Sequence, residues 1–391
     1  MKKLFWILFG LGLVFKLFLS VTTYHSDLAA FALAAHYIDN QGKILDFYNL
    51  TKVENGTIFN YQPLAYLIPA AFYLPFSGLL SSTYALVQNS NLVWIKSQTL
   101  YWPLLVYKLP MIFGDLLGLY FLRKLLIKNK VRNVLMLMWW FNPLVWYVSY
   151  MMGQIDVLIA GLVLGSYYFY TKEKWYTSVI FLVLSALIKP MGLMLIPLLM
   201  IMVWNKSKSL IRSGMVGFMG VLVYVLSILP YYLTSPAYRY YAFMAEQINK
   251  STFSGIDIAS GTTIPWFFIA LAFIVIYLFS KKISYLTAMI TTILASLVFS
   301  HFHPQWLVWV TPLLLVLMQK KDLKWIWPAL IGCWVMVVLS FDPSLHSELF
   351  LFSFWKFALP KALLPLVLMA RAGLIGIFAF IFLQRSTSKR A

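Results

Sequence analysis

The sequence predicts an all-α polytopic membrane protein, a bundle of about twelve transmembrane helices. Three observations carry that expectation. Hydrophobic residues make up 62% of the 391 positions and charged ones only 11%, with 15 Trp and a mean hydropathy of +0.81, a balance foreign to ordinary soluble domains. Apolar runs of roughly 18 to 22 residues recur along the chain, each long enough to cross a hydrocarbon core of about 30 Å as a helix. These runs are continuous rather than alternating, which excludes barrel strands, the only other way to satisfy backbone polar groups in lipid.

The first run, 4–23, follows Lys2 and Lys3 and lacks a small-residue cleavage pattern at Val21-Thr22-Thr23, so a permanent span is expected rather than a signal peptide. A long loop follows at 24–100. Within it, 27–41 repeats Leu28, Phe31, Ala32, Ala35 and Ile38 on one face and ends at Gly42, the pattern of an interfacial helix with a glycine cap. The stretch 61–80 is apolar but interrupted by Pro63, Pro69 and Pro75, and is expected to lie on the membrane surface. The further spans are expected near 101–122, 133–150, 155–171, 175–188, 191–204, 215–233, 263–280, 283–300, 305–318, 325–340 and 358–383. The two flanking Lys189-Pro190 have about 14 residues each, roughly 21 Å of helix, which predicts a depression open to lipid beside them. Neither repeats nor a soluble domain interrupt this plan, so residues 1–391 form a single integral domain.

Orientation follows from the basic residues, which fall in short clusters: Lys2/Lys3, Arg123 to Arg132, Lys172/Lys174, Lys206/Lys208/Arg212, Lys281/Lys282, Lys320/Lys321/Lys324 and Arg385/Lys389/Arg390. The positive-inside rule places all of them, and both termini, in the cytoplasm, with 24–100 outside. The membrane would be the plasma membrane of a prokaryote or the endoplasmic reticulum of a eukaryote. The formal net charge of +19 then reads as topology plus attraction to anionic membrane lipids, and its division among many short loops speaks against a nucleic-acid partner. A single cysteine, Cys333, sits in an apolar run as a small core residue.

Most acids fall on the expected outer face, where Asp27 and Asp156 each sit at the mouth of a span. A low-dielectric wall there can tune a carboxylate toward general-base work, and a compact bundle would make the two neighbours. Asp156 has a second reading, as an acid that complements the dipole of the helix it opens. His301 and His303, with Gln305 and Trp306 beside them, could donate hydrogen bonds to a phosphate or form a plain interfacial turn; two histidines alone make a weak metal site. Intramembrane cations call for a partner. Lys16 is expected to snorkel to the headgroups. Lys108 and Asp115 share a face two turns apart, about 10 Å, too far to pair without a link from another span. Lys189, with Lys361 and Arg371, could grip a lipid phosphate.

In their order and placement these elements resemble the membrane-embedded C-type (GT-C) glycosyltransferases, among them relatives of the GPI mannosyltransferases and their prokaryotic counterparts. The resemblance rests on His25-Ser26-Asp27 after the first span, Tyr61-Gln62-Pro63-Leu64 on an outer helix and Gly153-Gln154-Ile155-Asp156 after a span bearing Asn142-Pro143. It continues with Lys189-Pro190 ahead of Gly192 and Pro197, and with His303-Pro304-Gln305-Trp306. Relatives often carry Asp-x-Asp at the first motif, where this chain has His25, which leaves any divalent metal, and any other cofactor, open.

The resemblance implies transfer of a sugar, mannose favoured, from a polyprenyl-phosphate-linked donor to a lipid-linked or protein acceptor at the extracytoplasmic face. Asp27 would then be the general base, with Asp156 and His25 as the other catalytic candidates. Lys189, His301, His303 and Arg371 would hold the donor phosphate, and Gln154, Tyr61, Gln305 and Trp306 would contact substrate. Two other readings stand beside it: a secondary transporter using Lys16, Lys108 and Asp115 as an ion path, and a catalytically inactive assembly protein of the same fold.

Overall fold

A computed structural model describes residues 2–50, 59–80, 83, 100–128, 130–244, 255–258, 261–299, 303–320, 323–352 and 357–384. It is mostly helical, and a helix lies in each of the twelve stretches expected to cross. Four helices, Lys3–Thr22, Pro190–Ser207, Leu210–Thr234 and Lys361–Leu383, are long and apolar enough to span a membrane, or five if the bent pair Tyr101–Tyr107 and Leu109–Leu125 is one span. Other apolar helices, such as Trp266–Phe279 and Tyr285–Val298, have 14 residues. At about 1.5 Å per residue these cover roughly 21 Å, less than the hydrocarbon core. Long apolar side chains face outward on the spanning helices, among them Trp6, Leu11 and Val14 on the first and Leu368 and Met369 on the last, as a lipid-facing surface requires.

Breaks in the helices fall where the sequence removes hydrogen bonds. The expected span at 133–150 divides into Lys130–Trp140 and a turn from Pro143 that widens into a π-helical segment, Trp146–Met151, with Asn142 capping Leu144 N–H through its side chain at 3.0 Å. Lys189 is extended (φ −142°, ψ 142°) because a residue before proline is driven out of the helical region. Past it, Pro190 opens a 3₁₀ turn that runs straight into Ile196–Ser207. Only one helix of the expected short pair, Trp175–Ala186, is therefore short; proline is tolerated at a helix start, so the second regains 18 residues.

The helix Asp27–Gln41 has the expected bounds, and Gly42, at φ 62°, closes it by donating to Ile38 O at 3.1 Å. It is buried on more than the one expected face, however, since Leu33, Ala34 and Tyr37 are buried with Leu28, Phe31, Ala32 and Ala35. The helix Leu64–Tyr73 packs against it and covers what a surface helix would leave open. The loop before Trp266 holds a feature that the apolar pattern did not announce, an antiparallel hairpin pairing Gly255–Ile258 with Thr262–Pro265.

Close packing at the centre depends on glycine. Leu109–Leu125 and Asp156–Thr171 approach until a Cβ on Gly114 would lie 2.8 Å from Leu158 N, and one on Gly161 would lie 3.2 Å from Gly114 O. Gly161 thus packs against the Gly114 and Gly118 backbone, the close approach that small residues allow helices in lipid, while Gly118 itself makes room for the Trp139 ring and Gly165 for Phe181 and Phe121. Lys16 sits against this pair and corrects the expectation of snorkelling. It is fully buried, its ammonium 2.5 Å from Asp115 Oδ2 and 3.2 Å from the centre of the Trp140 ring. Opposite charge and a π face offset the desolvation that would otherwise drive the lysine to the headgroups.

Candidate functional site

The first helix ends at Thr22, and the chain beyond it is held open by a distant segment. Tyr24 N–H donates to Leu349 O at 2.8 Å, Leu351 N–H donates to Thr22 O at 2.9 Å, and Thr23 bridges Phe350. This short ladder delivers His25-Ser26-Asp27 to the start of the next helix, where Asp27 occupies the first turn and the Leu28 and Ala29 N–H groups donate to His25 O at 3.1 Å and Ser26 O at 2.9 Å.

Asp27 keeps 42% of its side chain exposed while His25 and Gln154, which hold it, are buried. One carboxylate oxygen accepts a hydrogen bond from the Gln154 amide and lies 3.5 Å from His25 Nδ1. That same Nδ1 accepts the Asp27 N–H at 3.2 Å, which sets the tautomer of a neutral imidazole with its proton on Nε2. Burial holds the His25 pKa below the ordinary 6.5; Asp27 opposes this shift and Lys108 adds to it.

The sign of the pH effect follows. Between the lowered folded pKa and 6.5 the unfolded chain binds the proton and the folded chain does not, so stability is full above pH 6.5 and declines as pH falls below it. Thermal melts of detergent-purified protein from pH 8 to pH 5 should show that decline. In His25→Asn, which keeps an acceptor for the Asp27 N–H, the decline should shrink.

Gln154 reaches Asp27 because the π-helical segment ends in a tight reversal. Gly153 adopts φ 70°, a left-handed conformation that suits glycine, and Gln154 N–H returns to Val148 O at 2.8 Å. The side chain is fully buried, and its Oε1 has no partner among the described residues.

Asp156 opens the following helix and is fully buried. Its two oxygens accept from Lys189 Nζ at 2.9 and 2.7 Å, and Oδ1 also accepts from Trp309 Nε1 at 2.8 Å. Lys189, 3% exposed, is lidded by the Tyr61 ring at 4.5 Å from its centroid. Tyr61 is carried there by backbone bonds from Gln62 N–H to Ile188 O and from Leu64 N–H to Leu187 O. Its hydroxyl is pushed well above its ordinary pKa by burial and then by the charges of Asp27 and Asp156.

Four of the five sequence motifs thus meet, His25–Asp27, Tyr61–Leu64, Gly153–Asp156 and Lys189-Pro190, but their roles divide. Asp156 and Lys189 neutralise each other out of solvent, which fits the dipole-complementing reading of Asp156 and corrects the expectation that either is presented to a substrate. The physical reason is proximity: a buried ammonium satisfies the nearest buried carboxylate before any ligand.

In the fifth motif, His303 is extended before Pro304 and its ring lies 4.8 Å from Trp306, tilted by 50°, Gln305 is buried, and Trp306 lies parallel to Trp309 at 5.3 Å. The motif therefore reaches the site through Trp309, a residue that sequence reading passed over although it lies three positions beyond Trp306. His301 lies outside the described residues. Arg371 is exposed on the last helix, which packs against Tyr285–Val298 and Ile326–Val338, so it does not join Lys189 in one phosphate grip.

Beneath this layer lies a lysine whose role the sequence left undecided. Lys108, fully buried at the bend between Tyr101–Tyr107 and Leu109–Leu125, donates to Ser20 O (3.1 Å), Thr23 O (2.6 Å), Thr23 Oγ1 (2.9 Å) and Tyr150 O (2.7 Å). Tyr150 OH in turn donates to Asp115 Oδ2 at 2.5 Å, supplying the link between Lys108 and Asp115 that two helical turns alone did not allow. The ammonium ties the strand leading to Asp27 to the turn leading to Gln154. Among the described residues no group of three or more His, Cys, Asp or Glu is placed to hold a metal ion.

Set against known families and curated proteins, the chain finds no match: neither a protein-family model nor a curated sequence is similar enough to count as a relative.

Proposed function

We propose that the protein is a polyprenyl-phosphate-sugar-dependent glycosyltransferase, a bundle of about twelve spans with both termini cytoplasmic and the Asp27 end outside. The observation that carries this reading is the setting of Asp27. It is the one carboxylate of the cluster with an exposed face, and Gln154 and His25 hold it while the Asp156–Lys189 pair forms a neutral wall beside it. Such a group can accept a proton from an incoming hydroxyl. Gln154 donates to the carboxylate from a fully buried position, so the group is held while its open face stays accessible.

In the reaction proposed, Asp27 takes the proton of the acceptor hydroxyl as its oxygen attacks the anomeric carbon of the donor sugar. The bond from that carbon to the phosphate oxygen breaks, its electron pair leaves on the polyprenyl phosphate, and configuration inverts through an oxocarbenium-like transition state. Mannose is the favoured sugar, and a lipid-linked or protein hydroxyl is the acceptor. With Lys189 held by Asp156, His303 remains a candidate for the departing phosphate.

The test is sugar transfer by the purified chain in nanodiscs, with radiolabelled polyprenyl-phosphate mannose and a membrane lipid extract. Asp27→Asn retains the Gln154 contact and should fold, yet turnover should drop by roughly 10² to 10⁴. Equal turnover would remove Asp27 as the base. Absence of transfer from any donor, together with solute accumulation in proteoliposomes, would favour a transporter built around Lys16, Lys108 and Asp115.

A further inference from the structure

The hairpin ahead of Trp266 divides its side chains by face. Its register pairs Ile256 with Ile264, Asp257 with Thr263 and Ile258 with Thr262. Side chains alternate along a strand and paired residues share a face, so Ile256, Ile258 and Ile264 lie together on one side and Asp257 and Thr263 on the other. On the polar side the Thr263 hydroxyl donates to Asp257 Oδ1 at 2.7 Å. The three isoleucines of the apolar side are 40 to 47% exposed. A two-stranded hairpin standing in water is marginal at best, and one with an isoleucine face calls for a surface to lay it on.

The helix that follows says which surface that is. Pro265 leads directly into Trp266–Phe279, on which Phe268, Phe273, Ile276 and Phe279 are exposed as on a lipid-facing helix. Beyond its far end Lys281 and Lys282 mark the headgroups of one leaflet. From there its 14 residues rise roughly 21 Å, about 9 Å short of the opposite edge of a hydrocarbon core of about 30 Å. Each four-residue strand is roughly 13 Å long, enough to cover that shortfall, and the ladder pairs backbone groups between the strands. We infer that the hairpin lies in the leaflet opposite Lys281 and Lys282, with Ile256, Ile258 and Ile264 against the acyl chains and Asp257 and Thr263 toward the headgroups and water. Trp266, exposed at the junction of hairpin and helix, is an aromatic of the kind that anchors at such a boundary. The inference requires the chain to lie in a bilayer and is independent of the transfer reaction.

The experiment is a single-cysteine comparison of the two faces, made on the full chain with Cys333→Ser in phosphatidylcholine nanodiscs. Ile256→Cys and Ile264→Cys report the apolar face, Asp257→Cys and Thr263→Cys the polar one; all four positions are exposed, so the substitutions leave the core intact. With a nitrobenzoxadiazole label on each cysteine, quenching by phosphatidylcholine bearing a nitroxide near the headgroup should be about threefold stronger on the apolar face, and quenching by iodide should run in the opposite order. Because the label itself is apolar, the unlabelled thiols are compared as well: a charged methanethiosulfonate should modify Asp257→Cys and Thr263→Cys roughly tenfold faster than Ile256→Cys and Ile264→Cys. The inference fails if both faces are quenched alike and their thiols react at one rate. It also fails if Ile256→Cys and Ile264→Cys are shielded from nitroxide and iodide together, since protein, a second copy of this chain included, would then cover the isoleucines.

Discussion

Lys189→Met is expected to destabilise the protein by roughly 3 to 5 kcal/mol, because it strands the Asp156 carboxylate in a site that water does not reach. Asp156 is fully buried and takes two of its three hydrogen bonds from the Lys189 ammonium; Trp309 Nε1 supplies the third. Losing a methionine-shaped volume is not the cause, since the substitution nearly preserves it. The discriminating variant is Asp156→Asn/Lys189→Met, which removes both charges and leaves the amide oxygen to accept from Trp309. It should recover most of the stability lost, because replacing a buried pair as a unit is often close to neutral. Heating detergent-purified protein and following the monodisperse fraction would read the difference. If single and double variants melt together, Asp156 and Lys189 do not act as a pair.

The second large effect is expected at Lys108. Lys108→Met leaves the carbonyls of Ser20, Thr23 and Tyr150 and the Thr23 hydroxyl without the ammonium that joins them. Desolvated acceptors cost about 1 to 3 kcal/mol each when left unpaired, and part of that returns through their own helix bonds, so a total loss near 3 kcal/mol is expected.

The consequence for turnover is larger than the consequence for folding. Asp27 lies four residues past Thr23 and Gln154 four past Tyr150, so the bond between Asp27 and Gln154 depends on the register that Lys108 sets. A misplacement of about 1 Å is worth roughly 10²-fold in rate. Under the transferase reading, Lys108→Met should therefore lower kcat about a hundredfold while KM for the donor moves little, the mark of a positioning residue. A rise in KM with unchanged kcat would instead make Lys108 part of donor binding.

These expectations differ in how much of their basis was legible beforehand. The bounds of Asp27–Gln41 were readable because a capping glycine and a polar start are local signals, and Gly42 and Asp27 act within one turn of where they stand. The extended Lys189 was readable for the same reason, since Pro190 restricts its predecessor whatever surrounds it. Gly153 with φ 70° belongs here too, as a residue type matched to a turn. Lys16 was not readable: whether a lysine snorkels or stays inside depends on Asp115, 99 positions away, and on the Trp140 ring. The hairpin at 255–265 escaped because its strands have four residues each, too few for the alternation of Ile256, Asp257 and Ile258 to read as a strand.

By itself the sequence determined an apolar helical chain and the ends of several helices, because hydropathy, proline and glycine act over a turn or a span. Tertiary structure alone decided which charge meets which. Asp156 and Asp27 both stand at helix starts, yet one is sealed against Lys189 and Trp309 and the other keeps an open face toward solvent. The reason is physical: the fate of a carboxylate depends on dielectric and on partners within a few ångströms, and those come from helices far apart in the chain.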